Sequence, residues 1–382
     1  MLAPSTPAEL AQALHDAAER KHTISLEGNA SKRLMAGPRE PADVEITTSG
    51  LHGVLEYEPH DLTISVEAGL PWYRFTTLLA EHRQIVPLDP PFAVTATVGG
   101  VIAANCSGPR RRLYGTARDL VIGMTFATLA GKLVQSGGMV VKNVAGLDMA
   151  KLMIGSFGTL AAIATVNFKV LPAPEKEQSF LLPYPSVADA IAIRDRILAS
   201  PLQPSAIDLV NPAAARSLGG GDWLLAVRTG GIPAAMHRGE AELAHIAGRL
   251  AVETECPATF WPEVRNFTPQ FLDRHPDGAV IRVSCTLKDV AAVMESFPGP
   301  ALARAASGVC YGYFEQAEST VAWFARAKAG GWKAVVEFAP EGRKRTLELW
   351  PSPEGDFEIM RRVKALFDPS NLLNRGRLYR RI

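Results

Sequence analysis

The sequence has few cysteines, and none stand close together. Cys106, Cys256, Cys285 and Cys310 are far apart, with no C-x-x-C pair. Iron–sulfur clusters and zinc sites need closely spaced thiolates around one metal, so the spacing predicts neither, and the thiols are expected to be reduced packing residues. No G-x-x-x-x-G-K-[ST] occurs, and no G-x-G-x-x-G closes a strand and opens a helix. That argues against a P-loop NTPase and against a Rossmann dinucleotide domain. An excess of either charge is also missing, because 40 Lys and Arg offset 39 Asp and Glu to leave +1. Such a balance gives no electrostatic reason to expect nucleic acid or an anionic membrane as a partner. No uncharged apolar run reaches the ~18 residues that would span a bilayer. The first residues carry neither the basic nor the apolar segment of a signal peptide, so export is not expected. His237, His245 and His275 are scattered, with no pair at a metal-binding spacing, and are read as surface or packing residues.

What the chain has instead is glycine and small residues, concentrated in residues 90–111 (PPFAVTATVGGVIAANCSGPRR) and 137–172. In the first run Ala96, Thr97, Gly99, Gly100, Ala103, Ala104, Ser107 and Gly108 crowd together, so the backbone can approach a ligand with its N–H groups unobstructed. A diphosphate and a flat ring can be held that way. Any one glycine is more often a turn residue, but this density is harder to explain by turns. Asp89-Pro90-Pro91 fixes the backbone just before the run and predicts a rigid loop. Residues 27–32 (EGNASK) follow a strand expected over 23–26 and read as a tight loop whose amides can face phosphate, provided that Glu27 points away. Arg110, Arg111 and Arg112 read either as a solvated face or as a site for diphosphate or an acidic partner. Lys142, Asn143, Asp148 and Lys151 suit local salt bridges and capping, with Asp148 opening a helix over 149–154 and Gly155 ending it.

Periodicity supplies the remaining elements. Thr6-Pro7-Ala8-Glu9 is a capping box before an amphipathic helix. A half-buried strand through Leu62, Ile64 and Val66 precedes a helix starting at 69–71, a brief strand at 85–86, and a hairpin of 120–129 with 133–136. Composition shifts at 172–177, where proline and charge mark a domain boundary. Helices alternating with strands come next, including a helix over 234–250 and strands at 206–210, 223–229, 280–285, 309–314 and 333–338. A last helix over 357–366 leads to FDPSNLLNRGRLY.

The succession ISLEGNASK, DPPFAVTATVGGVIAANCSGPRRRLYGTARDLVIG, GGMVVKNVAGLDMAKLMIGSFGTLAAIATVNFKVLPAPE and LFDPSNLLNRGRLY resembles the FAD-binding subunits of bacterial glycolate oxidases. These lie within the wider flavoprotein family of p-cresol methylhydroxylase and vanillyl-alcohol oxidase. The resemblance is dense over 51–174, thinner over 23–37, and returns at the end of the chain. It implies an α+β fold with a two-part FAD-binding domain at 1–174, a smaller α+β cap at 175–345, and a tail, 346–382, returning to the FAD domain. The expected cofactor-binding residues are Gly28, Asn29, Ala30, Ser31, Pro91, Ala96, Thr97, Val98, Gly99, Gly100, Ser107, Gly108, Gly155, Gly158, Ile163 and Asn374. Asn29 and Ala30 stand where the family carries more glycine, and Arg375 where it has proline. No Gly-Gly-His flanks the flavin run, so FAD is expected to be non-covalent. The H-x-G-H-x-G-D-G-N pattern of self-sufficient 2-hydroxy-acid dehydrogenases does not occur. The resemblance therefore implies a subunit that relays electrons between a catalytic flavoprotein subunit and an iron–sulfur subunit, cytoplasmic or peripheral to the inner membrane through them, with no catalytic residue assigned. A stand-alone dehydrogenase of a small 2-hydroxy acid, with Arg265, Arg282 or Arg343 as carboxylate clamp, and a non-redox flavin scaffold are the alternatives.

Overall fold

The computed structural model describes residues 1–140, 147–248 and 256–382. Lys142 and Asn143 lie outside the described residues, as does the end of the helix expected over 234–250. The chain forms two compact units, one of Met1–Cys106, Thr116–Ala173 and Ser352–Ile382, the other of Ser107–Gly115 and Pro174–Pro351. Among the described residues no helix is long and apolar enough to cross a membrane.

In the first unit Thr6 caps helix Pro7–Glu19, its hydroxyl accepting from the Glu9 amide at 3.1 Å while the Glu9 carboxylate accepts from the Ser5 amide at 2.8 Å. The apolar side of this helix, Leu10, Leu14 and Ala17, packs with Ile24, Ile46, Leu51 and Leu373. Strand Ile24–Glu27 pairs in parallel with Val44–Thr47, a four-residue strand too short to announce itself by alternation. A five-stranded antiparallel sheet runs in the order Val54–Glu58, Thr63–Glu67, Ala162–Lys169, Val121–Ala127, Leu133–Gly137. Its middle strand does not alternate, for residues 162–168 are buried on both faces. Asn167 is tolerated there because its Oδ1 accepts from Ser65 Oγ at 2.7 Å.

Part of the small-residue run is helical, where a rigid loop was expected. Thr97 caps helix Val98–Ala103, its hydroxyl accepting from the Gly100 amide at 3.2 Å. Glycine disfavours helices by about 1 kcal/mol each; the cap and close packing offset that. Helix Asp356–Phe367 also belongs to this unit. Buried Lys364 fastens the tail after this helix, donating to Thr159 O at 2.7 Å, Leu373 O at 3.0 Å and Asp368 Oδ2 at 2.6 Å. The tail then runs beside the first strand, with Ile24 N–H bonded to Leu372 O at 2.8 Å and Asn374 N–H to Ile24 O at 2.9 Å.

The second unit is nearly as large as the first. Its seven-stranded antiparallel sheet has the order Lys176–Tyr184, Trp223–Gly231, Ala206–Val210, Ala301–Arg304, Val309–Phe314, Ala279–Ser284, Lys333–Phe338. The charged start of Lys176–Tyr184 lies on the sheet edge, where charge discourages further strand pairing. Helices Val187–Ala199, Pro233–Ala247, Val290–Ser296 and Thr320–Ala329 bury one face around Ile207, Leu225, Ile281 and Phe314. On the alternate face Asp208 pairs with Arg304, and Glu337 with Arg282 at 3.1 Å. Helix Phe260–Arg274 brings Phe267 and Phe271 within 4.8 and 5.2 Å of the Tyr313 ring; its internal Pro269 hides it from a sequence reading. Arg110, Arg111 and Arg112 are half-buried in this unit rather than solvated, with Arg111 Nη1 donating to Ser107 Oγ at 3.2 Å.

Candidate functional site

A cleft open to solvent lies in the first unit. The loop after strand Ile24–Glu27 forms one wall and helix Val98–Ala103 another, with residues 157–163 and the tail at 374–377 completing it. Gly28, Asn29, Ala30, Ser31, Thr97, Gly99, Gly100, Gly158, Ile163 and Asn374 are thereby brought together. Pro91, Ala96, Val98 and Gly155 are not among the lining residues, and Ser107 and Gly108 fold with the second unit.

The glycines serve different ends. A Cβ at Gly28 would strike Thr97 Oγ1, and one at Gly99 would lie 2.7 Å from the Ala68 Cβ, so both are glycine because protein packs there. At Gly100 a Cβ would meet only Thr97 Oγ1, at 3.1 Å, which leaves this position as the one that opens the cleft. Gly158 needs its glycine twice over, since φ is +67° and a Cβ would approach Asn374 Nδ2 to 2.8 Å.

The run's amides do not face a ligand as the sequence suggested. Val98 N–H bonds to Leu70 O at 2.9 Å and Gly99 N–H to Ala68 O at 2.7 Å, while Gly100 N–H is held by its cap at 3.2 Å. The amides of residues 28–32 are different: among the described residues none of the five donates to a protein acceptor. Ala30 takes φ +52°, the left-handed conformation that lets successive amides turn toward one concavity. Glu27 lines the cleft, yet Arg39 neutralises it at 2.8 Å, so it does not repel an anion there.

Asn374 contributes by bridging. Its Oδ1 accepts from Leu26 N–H at 2.7 Å, and its Nδ2 donates to Leu26 O at 3.0 Å and Phe157 O at 2.8 Å, so its amide joins three segments of wall. Residues the sequence reading missed are Lys32, Arg39, Phe157 and Arg377. Arg377 is nearly buried, donates to Gly37 O and Met35 O at 2.8 and 2.7 Å, and lies 5.9 Å over the Phe157 ring. Nothing in local pattern marks such a long-range contact. Among the described residues no histidine, cysteine or tyrosine lines the cleft, and no group of three His, Cys, Asp or Glu is placed to hold a metal. Unshared amides, small residues and cations suit a nucleotide-bearing flavin.

Comparison with known proteins agrees. Residues 1–137 match the FAD binding domain family, and residues 351–378 match the C-terminal domain of FAD linked oxidases. Glycolate oxidase subunit GlcE of Escherichia coli is 34% identical over 171 residues, covering 44% of this chain and 48% of that protein. D-lactate dehydrogenase of Anaerostipes hadrus is 32% identical over 167 residues, 44% of this chain and 35% of that one. Glycolate oxidase subunit GlcD of Bacillus subtilis is 26% identical over 213 residues, 55% and 45% of the two chains. The matches thus span half or less of these relatives' length. A solved alkyldihydroxyacetonephosphate synthase shares the fold, with TM-score 0.76 and 16% identity over 97% of this chain and 76% of that one. The match to the FAD binding domain thus takes in the loop at 28–32 and helix Val98–Ala103 of the cleft, and the match to the C-terminal domain of FAD linked oxidases takes in Asn374, Arg375 and Arg377.

Proposed function

We propose that this chain is the FAD-binding subunit of a glycolate-oxidising complex, holding FAD without a covalent bond and acting with a catalytic flavoprotein subunit and an iron–sulfur subunit on a small 2-hydroxy acid. The observation that carries the reading is the cleft, where five consecutive unshared amides meet a wall of small residues. When bound, FAD supplies a two-electron acceptor and donor. This chain's part is to bind and orient. Residues 28–32 take the charged end, while Thr97, Gly100, Ala103 and Ala104 leave room for a flat ring.

Proton transfer is not assigned to the cleft. A hydride does not leave an alcohol carbon readily without a base nearby; the described lining has no histidine, cysteine or tyrosine, and of its Glu27, Glu40 and Lys32 the first is held by Arg39 at 2.8 Å. Of the three arginines considered as carboxylate clamps, two are committed, Arg282 to Glu337 at 3.1 Å and Arg343 to Glu318 at 2.9 Å. Arg265 sits on helix Phe260–Arg274 with its Nε buried and unbonded. The committed Arg282 and Arg343, and a lining without histidine, cysteine or tyrosine, support a relay role over a self-sufficient dehydrogenase. Isolated protein is expected to be yellow, to release its flavin into the supernatant on acid precipitation, and to be reduced poorly by glycolate in anaerobic stopped flow. Adding the two partner subunits should give dye-linked glycolate oxidation. Flavin reduction by glycolate within milliseconds in the isolated chain, or full activity of the complex with a flavin-free variant, would sink the relay.

A further inference from the structure

The cations of the cleft are not equivalent. Arg39 is paired with Glu27 at 2.8 Å, Arg375 donates to Pro41 O at 2.9 Å, and Arg377 holds two carbonyls at 2.8 and 2.7 Å. Arg33 lines the cleft as well, and Lys32 differs from the three arginines above. Its ammonium has one hydrogen bond, to Ser31 Oγ at 3.4 Å, and among the described residues no carboxylate pairs with it. It also ends the stretch of unshared amides. Lys32 is half-buried; a cation partly withdrawn from water without a counter-ion is costly, and burial pulls its pKa down. The fold keeps that cost beside five amide donors and, among the described residues, without a carboxylate paired to it.

We infer that Lys32 is the counter-cation of the cofactor's diphosphate, with the amides of residues 28–32 supplying the hydrogen bonds around it. This rests on FAD as the ligand of the cleft and adds the residue that sets its affinity. Glu27 does not compete for Lys32, because Arg39 holds it. The diphosphate then completes a pairing that the protein alone leaves open, and the flat ring is left to the small-residue wall.

The test compares apo wild type with Lys32→Met and Lys32→Arg, titrated with FAD, ADP and riboflavin by fluorescence or calorimetry. Loss of a charge-assisted contact predicts that Lys32→Met weakens FAD and ADP by about tenfold or more. Riboflavin, which has no phosphate, should bind as to wild type, and Lys32→Arg should recover most of the loss. Apo Lys32→Met should unfold at the same temperature as wild type or higher, since it removes an unpaired cation. The inference fails if Lys32→Met holds FAD as tightly as wild type, if it loses riboflavin in parallel, or if the apo variant is destabilised or does not fold. Wild type that binds no flavin would overturn both this inference and the proposed function. Wild type that binds flavin but supports no glycolate oxidation with its partners would overturn only the latter.

Discussion

Lys364→Met tests how the tail is fastened to the flavin unit. Lys364 is 5% exposed and Asp368 1%, and the pair makes a 2.6 Å contact with two further bonds from the ammonium to backbone carbonyls. Methionine keeps much of the aliphatic stem but strands a buried carboxylate. Removing one partner of a buried ion pair costs about 3–5 kcal/mol. Asp368 retains the amides of Leu372 and Leu373 at 2.9 and 2.8 Å, which places the cost near the lower figure, about 3 kcal/mol. For a unit of this size that is a fall in Tm of roughly 6–12 °C. Flavin retention should fall with it, because the tail that Lys364 fixes delivers Asn374 to the cleft. Urea and thermal unfolding of apo protein measure the loss. Lys364→Met with Asp368→Asn should recover part of it, since asparagine removes the stranded charge and still accepts from one amide. A single variant within about 0.5 kcal/mol of wild type, or a double variant worse than the single, would refute the reasoning.

The two glycines of the helix should separate. Gly99→Ala pushes a methyl against Ala68 and should destabilise by about 1–3 kcal/mol in urea unfolding, whereas Gly100→Val should fold and lose flavin, seen as missing yellow colour. At Ala30, φ +52° predicts that Ala30→Val costs at least about 1 kcal/mol, while Ala30→Gly stays within about 0.5 kcal/mol of wild type because relief of strain is offset by a freer unfolded chain. Asp43 accepts from the Thr23 amide and hydroxyl at 2.8 and 2.7 Å, which holds its carboxyl below the usual aspartate value. Its contribution is therefore full above the unfolded-state pKa and is lost as pH falls through the lower folded value. Asp43→Asn should flatten the acid limb of the stability profile.

The sequence made much of the first unit legible through chemistry that is local. Thr6 before Pro7, the turn at Gly131, and the small residues around Gly99 announce a cap, a hairpin and a close approach without reference to the rest of the chain. What those small residues do was not legible, because it depends on Ala68 and Leu70 taking their amides. Lys32 lay within the quoted loop, yet its meaning is the absence of a partner, which only the fold reveals. The short strands Val44–Thr47 and Ala301–Arg304 escaped for another reason: four residues carry too little periodicity to outweigh the turn-forming residues beside them.

The polar face of the second unit is a row of mutually committed charges. Asp208, Arg304, Tyr311, Arg282 and Glu337 sit on five successive strands, an acid at each end and a tyrosine in the middle. Arg304 lies 5.5 Å over the Tyr311 ring, a cation–π contact as well as an ion pair with Asp208. Burial pushes Tyr311 up to about 12 and Tyr313 higher still. Both hydroxyls therefore stay protonated near neutral pH and can donate but not abstract a proton. Burial also raises Glu337, and Arg282 pulls it back by pairing with it, so its carboxylate is engaged at 3.1 Å. Cutting into the row would strand charge: Arg304→Leu would leave Asp208, 1% exposed, without its guanidinium, at a cost of about 3–5 kcal/mol. The row is thus first a structural spine, its arginines held by acids rather than offered to a substrate.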